Sequence, residues 1–271
     1  MISAEELSPV AETMLWPLHG RAAEARRADS KLDDPLAIKI ADAIDYDYAG
    51  SFGEPDFGHA MRALAIDGVL RDWISAHPNG QVVALGEGLE TQFWRVDNGT
   101  IRWLTVDLPD AISLRKQLLG GSERQSEFAG SIADSNWMDQ LDESREIFIT
   151  AAGVLMYLDP DQVKNLIASI ADRFPNSEIV FDGIPHWLSL MTTGEGWKKT
   201  PAFTMPPMPW GLDRGEISQI ADWHPNIAEI CEVPFRNGRG LASGGIRPLL
   251  RGLPGSTRQT PVLVHLKCQP N

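Results

Sequence analysis

The sequence predicts an α/β fold with a mostly parallel sheet covered by helices on both faces. Two observations carry this. After residue 80, short apolar runs of strand type alternate with stretches of helical periodicity, the βαβα order that a parallel sheet requires. The first of those runs (QVVAL, 81–85) passes directly into Gly86-Glu87-Gly88, a turn at which backbone can approach a bound nucleoside.

In chain order, residues 1–80 read as helical. Asp33-Asp34-Pro35 is a helix start, an acidic cap followed by Pro in the first turn. Leu36, Ile40, Ala43 and Ile44 then recur at helical spacing. A second stripe, Met61, Leu64, Ala65, Leu70, Trp73 and Ile74, runs until Pro78-Asn79-Gly80 breaks it. Strands follow at 81–85, 101–106 (IRWLTV), 146–151 (EIFITA) and 178–181 (EIVF). Between them lie a helix over 108–119, opened by Pro109 and Asp110, and another over 160–174, capped by Asp159 and stopped by Pro175. Residues 262–266 (VLVHL) read as a terminal strand with 229–235 beside it. The Pro-rich stretch 198–215 suits neither helix nor central strand; it is either a surface connection or a lid over a pocket. The whole chain, 1–271, is expected to form one domain: a helical cap over 1–80, a Rossmann-like core over 81–271, and a lid at about 187–216.

Composition narrows the function. Hydrophobic residues at 43% suffice for a large core, and a net charge of −13 repels phosphate backbones and anionic lipid, so nucleic acid and membrane are not expected partners. No apolar run approaches the roughly 20 residues of a membrane span. Without a signal-peptide pattern, the expected location is cytoplasmic. The histidines are scattered and imply no metal. Cys231 and Cys268, both in apolar strand-like surroundings, are expected to be buried free thiols.

The chemistry centres on the glycine turn. The next strand ends in Asp107, 19 residues after Gly88, where a carboxylate can accept hydrogen bonds from ribose hydroxyls. Its other reading is a cap on the helix that follows. A dinucleotide site wants a third glycine where Thr91 stands, and Glu87 and Glu90 suit a cation better than a pyrophosphate. This favours S-adenosylmethionine over NAD.

Four stretches carry a family resemblance: DDPLAIKIAD (33–42), VVALGEGLETQFWR (82–95), WLTVDLPDAISLRKQL (103–118) and FITAAGVLMYLDPDQ (148–162), with RALAID at 62–67. Together they span roughly residues 10–190. The chain resembles the leucine carboxyl methyltransferase family, in particular its bacterial branch related to tetracenomycin-type polyketide O-methyltransferases. The resemblance implies a class I methyltransferase fold, with a seven-stranded sheet whose last strand is antiparallel, N-terminal helices and a lid. It implies S-adenosylmethionine as methyl donor. It also implies roles: Arg62 on the methionine carboxylate, Gly86, Glu87 and Gly88 along the cofactor, Asp107 on the ribose, Leu108 and Ile132 beside the adenine, Asp134 near the adenine amino group, and Ala151 at the end of the fourth strand. The family's fourth-strand motif often carries Glu or Gln where this chain has Ala152, which puts the contact made there in question.

On the acceptor side, Tyr157 and His186 are candidates for a catalytic role, with His19 a weaker one, and no single catalytic residue is assigned. Each has a plainer alternative, Tyr157 as a core residue and His186 as a surface one. Met205, Met208 and Trp210 are candidates for an apolar wall around a small-molecule acceptor. The expected reaction is methyl transfer to a carboxylate or hydroxyl oxygen. The competing readings are an NAD-dependent oxidoreductase, and a nucleoside-binding module that has lost turnover, the latter motivated by Ala152.

Overall fold

The computed structural model describes residues 2–4, 7–194, 196–235 and 260–270. The N-terminal layer holds helices α1 (Pro9–Glu12), α2 (Leu15–Ala25), α3 (Pro35–Ala43), α4 (Tyr48–Phe52) and α5 (Phe57–Ala76). A two-residue parallel pair, β1 (Ile2–Ser3) and β2 (Ile44–Asp45), lies in the same part of the chain. Helix α3 starts where its sequence says: the Asp34 carboxylate accepts from the Ala37 N–H at 3.0 Å, with Pro35 in the first turn. In α5 the buried stripe is Ala60, Ala63, Ile66, Asp67, Leu70, Trp73 and Ile74. Met61, Leu64 and Ala65, expected on that stripe, are only half-buried. The helix is covered on more than one side, so apolar spacing alone misplaced its inner face.

The main sheet contains β3 (Gln81–Leu85), β4 (Arg102–Asp107), β5 (Gln125–Ala129), β6 (Ile147–Ala151), β7 (Glu178–Gly183), β8 (Ile227–Glu232) and β9 (Val262–Cys268). Their spatial order is β5-β4-β3-β6-β7-β9-β8. Strands β3 to β7 pair in parallel, and β9 runs antiparallel to both β7 and β8. Every residue of β3 and β6 is buried, which is why both read as unbroken apolar runs. Among the described residues the remaining α-helices are α6 (Gln92–Val96), α7 (Pro109–Leu118), α8 (Pro160–Arg173) and α9 (His186–Thr193). The largest core cluster fills one face of the sheet with Val83, Leu104, Ile149, Phe181 and Val264 against Val163, Ile167 and Ile170 of α8. Each such side chain contributes about 1.5–3 kcal/mol by leaving water.

Strand β5 is absent from the sequence reading. QSEFA has no apolar run because β5 is an edge strand and none of its residues is fully buried. The thiols also divide. Cys268 is buried, but Cys231 is exposed, since β8 is the opposite edge and turns alternate residues to solvent. Among the described residues no helix is long and apolar enough to cross a membrane.

The sheet order reverses between β3 and β6. Chains leaving the carboxyl ends of β3 and β4 turn one way and those leaving β6 and β7 turn the other, which opens a crevice above the strand ends. Registers Leu85↔Val106, Ala84↔Thr150 and Ala151↔Phe181 bring those four ends to one edge.

Candidate active site

A cavity of about 770 Å³ occupies that crevice. Its floor is the strand ends: Ala84 to Gly88 after β3, Asp107 and Leu108 after β4, Ala152 to Val154 after β6, and Asp182 and Ile184 at the end of β7. Its walls come from α2 and α5, including Trp16, His59 and Arg62, and from the chain after α9, including Trp197, Met205 and Met208.

Gly86 and Gly88 adopt φ of +61° and +53°, the left-handed region in which a Cβ is costly. A Cβ on Gly86 would lie 2.3 Å from the Val154 side chain, and one on Gly88 would lie 2.7 Å from Met14. The two glycines therefore let neighbouring side chains close over the turn while the turn itself still borders the cavity. The Asp107 carboxylate sits under them. Oδ2 accepts from the Gly88 N–H at 2.6 Å and Oδ1 from the Leu108 N–H at 2.7 Å. Helix α7 has no side-chain cap, so Asp107 is not a helix-capping residue. Burial pushes its carboxyl above the usual range, against the pull of those two N–H groups. A carboxylate has about four acceptor positions, so two backbone bonds leave capacity for the hydroxyls of a sugar.

Arg62 projects from α5 to Asp182, Nη1 to Oδ2 at 2.8 Å, and the other Asp182 oxygen accepts from the Gly153 N–H at 2.5 Å. Asp182 is almost fully buried. Arg62 lies over Gly153, where a Cβ would come within 2.7 Å of its Nη1. The guanidinium has five donors, and its partly open position on the cavity suits a second carboxylate. Ala152 also borders the cavity, and Asp182 at the end of the next strand places a carboxylate on the same floor.

The electrostatic argument from Glu87 and Glu90 does not hold. The Glu87 carboxylate turns away from the cavity towards β4, accepting from Trp103 Nε1 at 3.2 Å and from the Thr105 hydroxyl, with Arg115 Nη2 at 3.0 Å. Burial pushes it up and Arg115 opposes that. Glu90 faces Arg21 at 2.8 Å and Arg95 at 2.6 Å. Burial pushes Glu90 up, but the two arginines outweigh it and hold the carboxyl down to about 2. Both acids are neutralised by arginines that are distant in sequence or one turn away. The case against a dinucleotide rests instead on Thr91. Its hydroxyl donates to Asp34 at 2.7 Å and accepts from Arg21 at 2.9 Å and Arg95 at 2.8 Å. Arg95 also binds Asp67 at 2.8 Å. The third-glycine position is thus a buried polar hub that ties α2, α3 and α5 to the turn. The helix after it, α6, is a single turn.

The remaining expected residues divide clearly. Leu108, Tyr157, Met205 and Met208 border the cavity. Tyr157, on the 3₁₀ turn Leu155–Tyr157, is hydrogen-bonded to Thr13, and burial raises its phenol above the ordinary value, so it is a poor base. Ile132, Asp134, Ala151, His186, Trp210 and His19 do not border it. Ile132 and Ala151 are buried in the sheet core. Asp134 is exposed at the start of the 3₁₀ helix Ser135–Gln140. Trp210 packs inward on Phe181, ring centroids 6.3 Å apart. His186 is on the surface, bound to Glu216 at 2.8 Å. His19 stacks on Tyr48 and bonds the Gly53 carbonyl at 3.3 Å. Sequence reasoning missed His59 and Asp182. Asp182 carried a usable signal, an acid at the carboxyl end of a parallel strand, the same signal that found Asp107. Among the described residues no cluster of His, Cys, Asp or Glu is placed to hold a metal.

The fold is that of known methyltransferases. It superposes on a duf574 family protein from Streptomyces avermitilis with a TM-score of 0.57 at 12% identity, covering 93% of this chain and 97% of that one. The plantazolicin methyltransferase BamL gives 0.54 at 12% identity, covering 96% and 98%. In sequence, the chain is 27% identical over 184 residues to the tetracenomycin polyketide synthesis O-methyltransferase TcmP of Streptomyces glaucescens, spanning 67% of this chain and 68% of that protein. It is 26% identical over 200 residues to the S-adenosyl-L-methionine-dependent methyltransferase dpfgK of Gibberella zeae, spanning 65% and 66%. The family model for leucine carboxyl methyltransferase matches residues 15–171, a stretch that holds helices α2 to α5, the glycine turn, Asp107 and the fourth-strand motif. The chain belongs to the leucine carboxyl methyltransferase family and is an S-adenosylmethionine-dependent methyltransferase.

Proposed function

We propose that this chain transfers a methyl group to an oxygen of a small, largely apolar metabolite held in the crevice above β3, β4, β6 and β7. One observation carries the reading: a single cavity has polar groups suited to a nucleoside and an amino acid at its floor, Asp107 and Arg62, and an apolar wall of Trp16, Trp197, Met205 and Met208. Its volume, about 770 Å³, is in the range of sites that enclose a small ligand. In this reading Gly86 and Gly88 line the donor, Asp107 holds its ribose, and Arg62 holds its carboxylate through parallel hydrogen bonds. The bound donor supplies a methyl group on a positively charged sulfur, an activated leaving group. The protein aligns the acceptor with it and excludes water. The segment 187–216 acts as the lid, since Leu188, Trp197, Met205, Met208 and Arg214 all reach the cavity from it. A small-molecule oxygen acceptor is supported by the TcmP relative, named for polyketide O-methylation, and by the net charge of −13, which repels nucleic acid.

Calorimetry with S-adenosylhomocysteine tests the placement. Wild type should bind, and Asp107→Ala should weaken binding at least about tenfold, equivalent to about 1.4 kcal/mol. Absence of binding to the wild type would overturn the reading.

A further inference from the structure

Glycine gives the turn after β3 its left-handed φ values, but it also holds them weakly, because a residue without a Cβ is nearly as free at negative φ. The shape of Gly86 to Glu90 is held instead through its carbonyls. That of Glu87 accepts from the Glu90 N–H at 3.0 Å. Those of Gly88 and Glu90 both accept from Arg115 Nη1, at 2.8 and 2.7 Å. That of Leu89 accepts from Arg21 Nη2 at 2.7 Å. Every carbonyl from Glu87 to Glu90 is therefore engaged, all but the first by a guanidinium from α7 or α2.

Arg115 follows Ala111 by one helical turn on α7, so the two share a face. Ala111 borders the cavity, whereas Arg115 is buried and does not line it. Its Nη2 meets Glu87 Oε1 at 3.0 Å, and its guanidinium carbon lies 5.8 Å from the centre of the Trp94 ring. One planar group thus joins the Glu87 side chain to the Gly88 and Glu90 carbonyls. The N–H of Gly88 goes to Asp107 at 2.6 Å. Both polar groups of Gly88 are fixed, one by the acid just before α7 and the other by an arginine within it. Burial raises the Asp107 carboxyl, and the two N–H donors, followed by Arg115, pull it back towards the charged form. A charged carboxylate makes the stronger bonds to hydroxyls.

Resting on the donor placement proposed above, we infer that Arg115 is a positioning residue for the methyl donor: it touches no part of the donor, and it sets the affinity for the nucleoside end by holding the glycine turn against Asp107. With Arg115 in place the donor meets a turn already in its bound shape, so no ordering cost lowers the affinity. Without the guanidinium, the Gly88 and Glu90 carbonyls lose their donor and the two glycines regain their freedom. The buried Glu87 carboxylate beside them also loses its counter-charge. Lysine does not replace the group. Its ammonium keeps a charge opposite Glu87, but one nitrogen stands where a rigid fork used two nitrogens on different partners. Charge and grip are therefore separable by mutation.

The test uses the full chain and two probes: S-adenosylhomocysteine, and methylthioadenosine, which keeps the nucleoside and lacks the amino acid. Calorimetry should show both binding to the wild type. In Arg115→Lys and Arg115→Gln both should weaken at least about tenfold and by similar factors, because the contribution lost lies at the nucleoside end. Arg62→Ala should weaken S-adenosylhomocysteine alone, which tells the two ends apart. Ile170→Ala, in the core of α8 and away from the cavity, reports what lost stability does by itself. It should lower the urea midpoint and leave both affinities within about twofold. Arg115→Lys should lie nearer the wild type in urea midpoint than Arg115→Gln, yet bind neither probe better. Wild-type affinity in Arg115→Lys would reduce the residue to a counter-charge for Glu87, and wild-type affinity in Arg115→Gln would reduce it to packing; either overturns the proposal. So would losses in Ile170→Ala as large as those in the Arg115 variants, since affinity would then follow stability alone. Failure of the donor placement would appear instead in the wild type, as absence of binding.

Discussion

Arg62 Nη1 and Asp182 Oδ2 meet at 2.8 Å, joining helix α5 of the N-terminal layer to the carboxyl end of β7. The contact closes one side of the cavity floor and links two segments 120 residues apart. It also holds a buried acid on the same cavity floor as Ala152.

This pair should show a split between stability and binding. Arg62→Ala leaves the Asp182 carboxylate buried with only the Gly153 N–H, and should cost about 3 kcal/mol in urea unfolding. Adding Asp182→Asn removes the stranded charge while keeping an acceptor for Gly153. The double variant should therefore regain most of that stability. It should not regain affinity for S-adenosylhomocysteine, because the guanidinium is still missing. Recovery of affinity in the double variant would show that Arg62 serves only to neutralise Asp182.

The glycine turn gives a contrast between two Gly→Ala changes. Gly86→Ala places a side chain at φ +61° and 2.3 Å from Val154, so conformational strain of about 1–2 kcal/mol adds to a clash with a packed side chain. Gly68→Ala, exposed inside α5 with nothing within 4 Å of the new Cβ, should stabilise by about 0.5–1 kcal/mol. Thermal unfolding of the two variants should move the midpoint in opposite directions.

Glu90 sets an acid limb. Its folded carboxyl is held down to about 2 from an ordinary value of 4.5. A depressed carboxyl contributes stability that is fully present above the ordinary value and is lost as pH falls through the folded one. Wild type should thus lose stability relative to Glu90→Gln between about pH 4.5 and about pH 2. Asp107, which burial pushes up, contributes with the opposite sign in both proteins and cancels in the difference, whereas Glu87, raised chiefly by burial and least by Glu90, changes only by that last contribution. Urea midpoints measured across that window read it. A constant gap between the two proteins would mean that Arg21 and Arg95 do not bind Glu90 in solution.

Much of the site was legible because it is written locally. The strand before Gly86, the acid ending β4 and the caps at Asp34 and Asp159 each depend on residues within one turn or one strand. Asp182 obeys the same positional rule as Asp107 and was open to the same inference. Strand β5 was not legible, since an edge strand needs no apolar run. His186 and Trp210 were misplaced because being near a strand end says nothing about which way a side chain points: one faces solvent and Glu216, the other the core and Phe181. Ile132 and Ala151 went the same way, into the sheet rather than above it.

Taken alone, the sequence determined the order of the buried strands β3, β4, β6, β7 and β9 and of helices α7 and α8, the glycine turn and its acid, since these follow from periodicity and backbone conformation over a few residues. Tertiary structure decided the charges and the apolar wall of the cavity. Glu87 and Glu90 looked like free anions until folding brought Arg115 and Arg21 to them, and His59 became a cavity group only when α2 set Gly20 and Trp16 against its ring. The physical reason is common to both: the charge state and reach of a side chain depend on which neighbours replace water around it, and those neighbours come from distant parts of the chain.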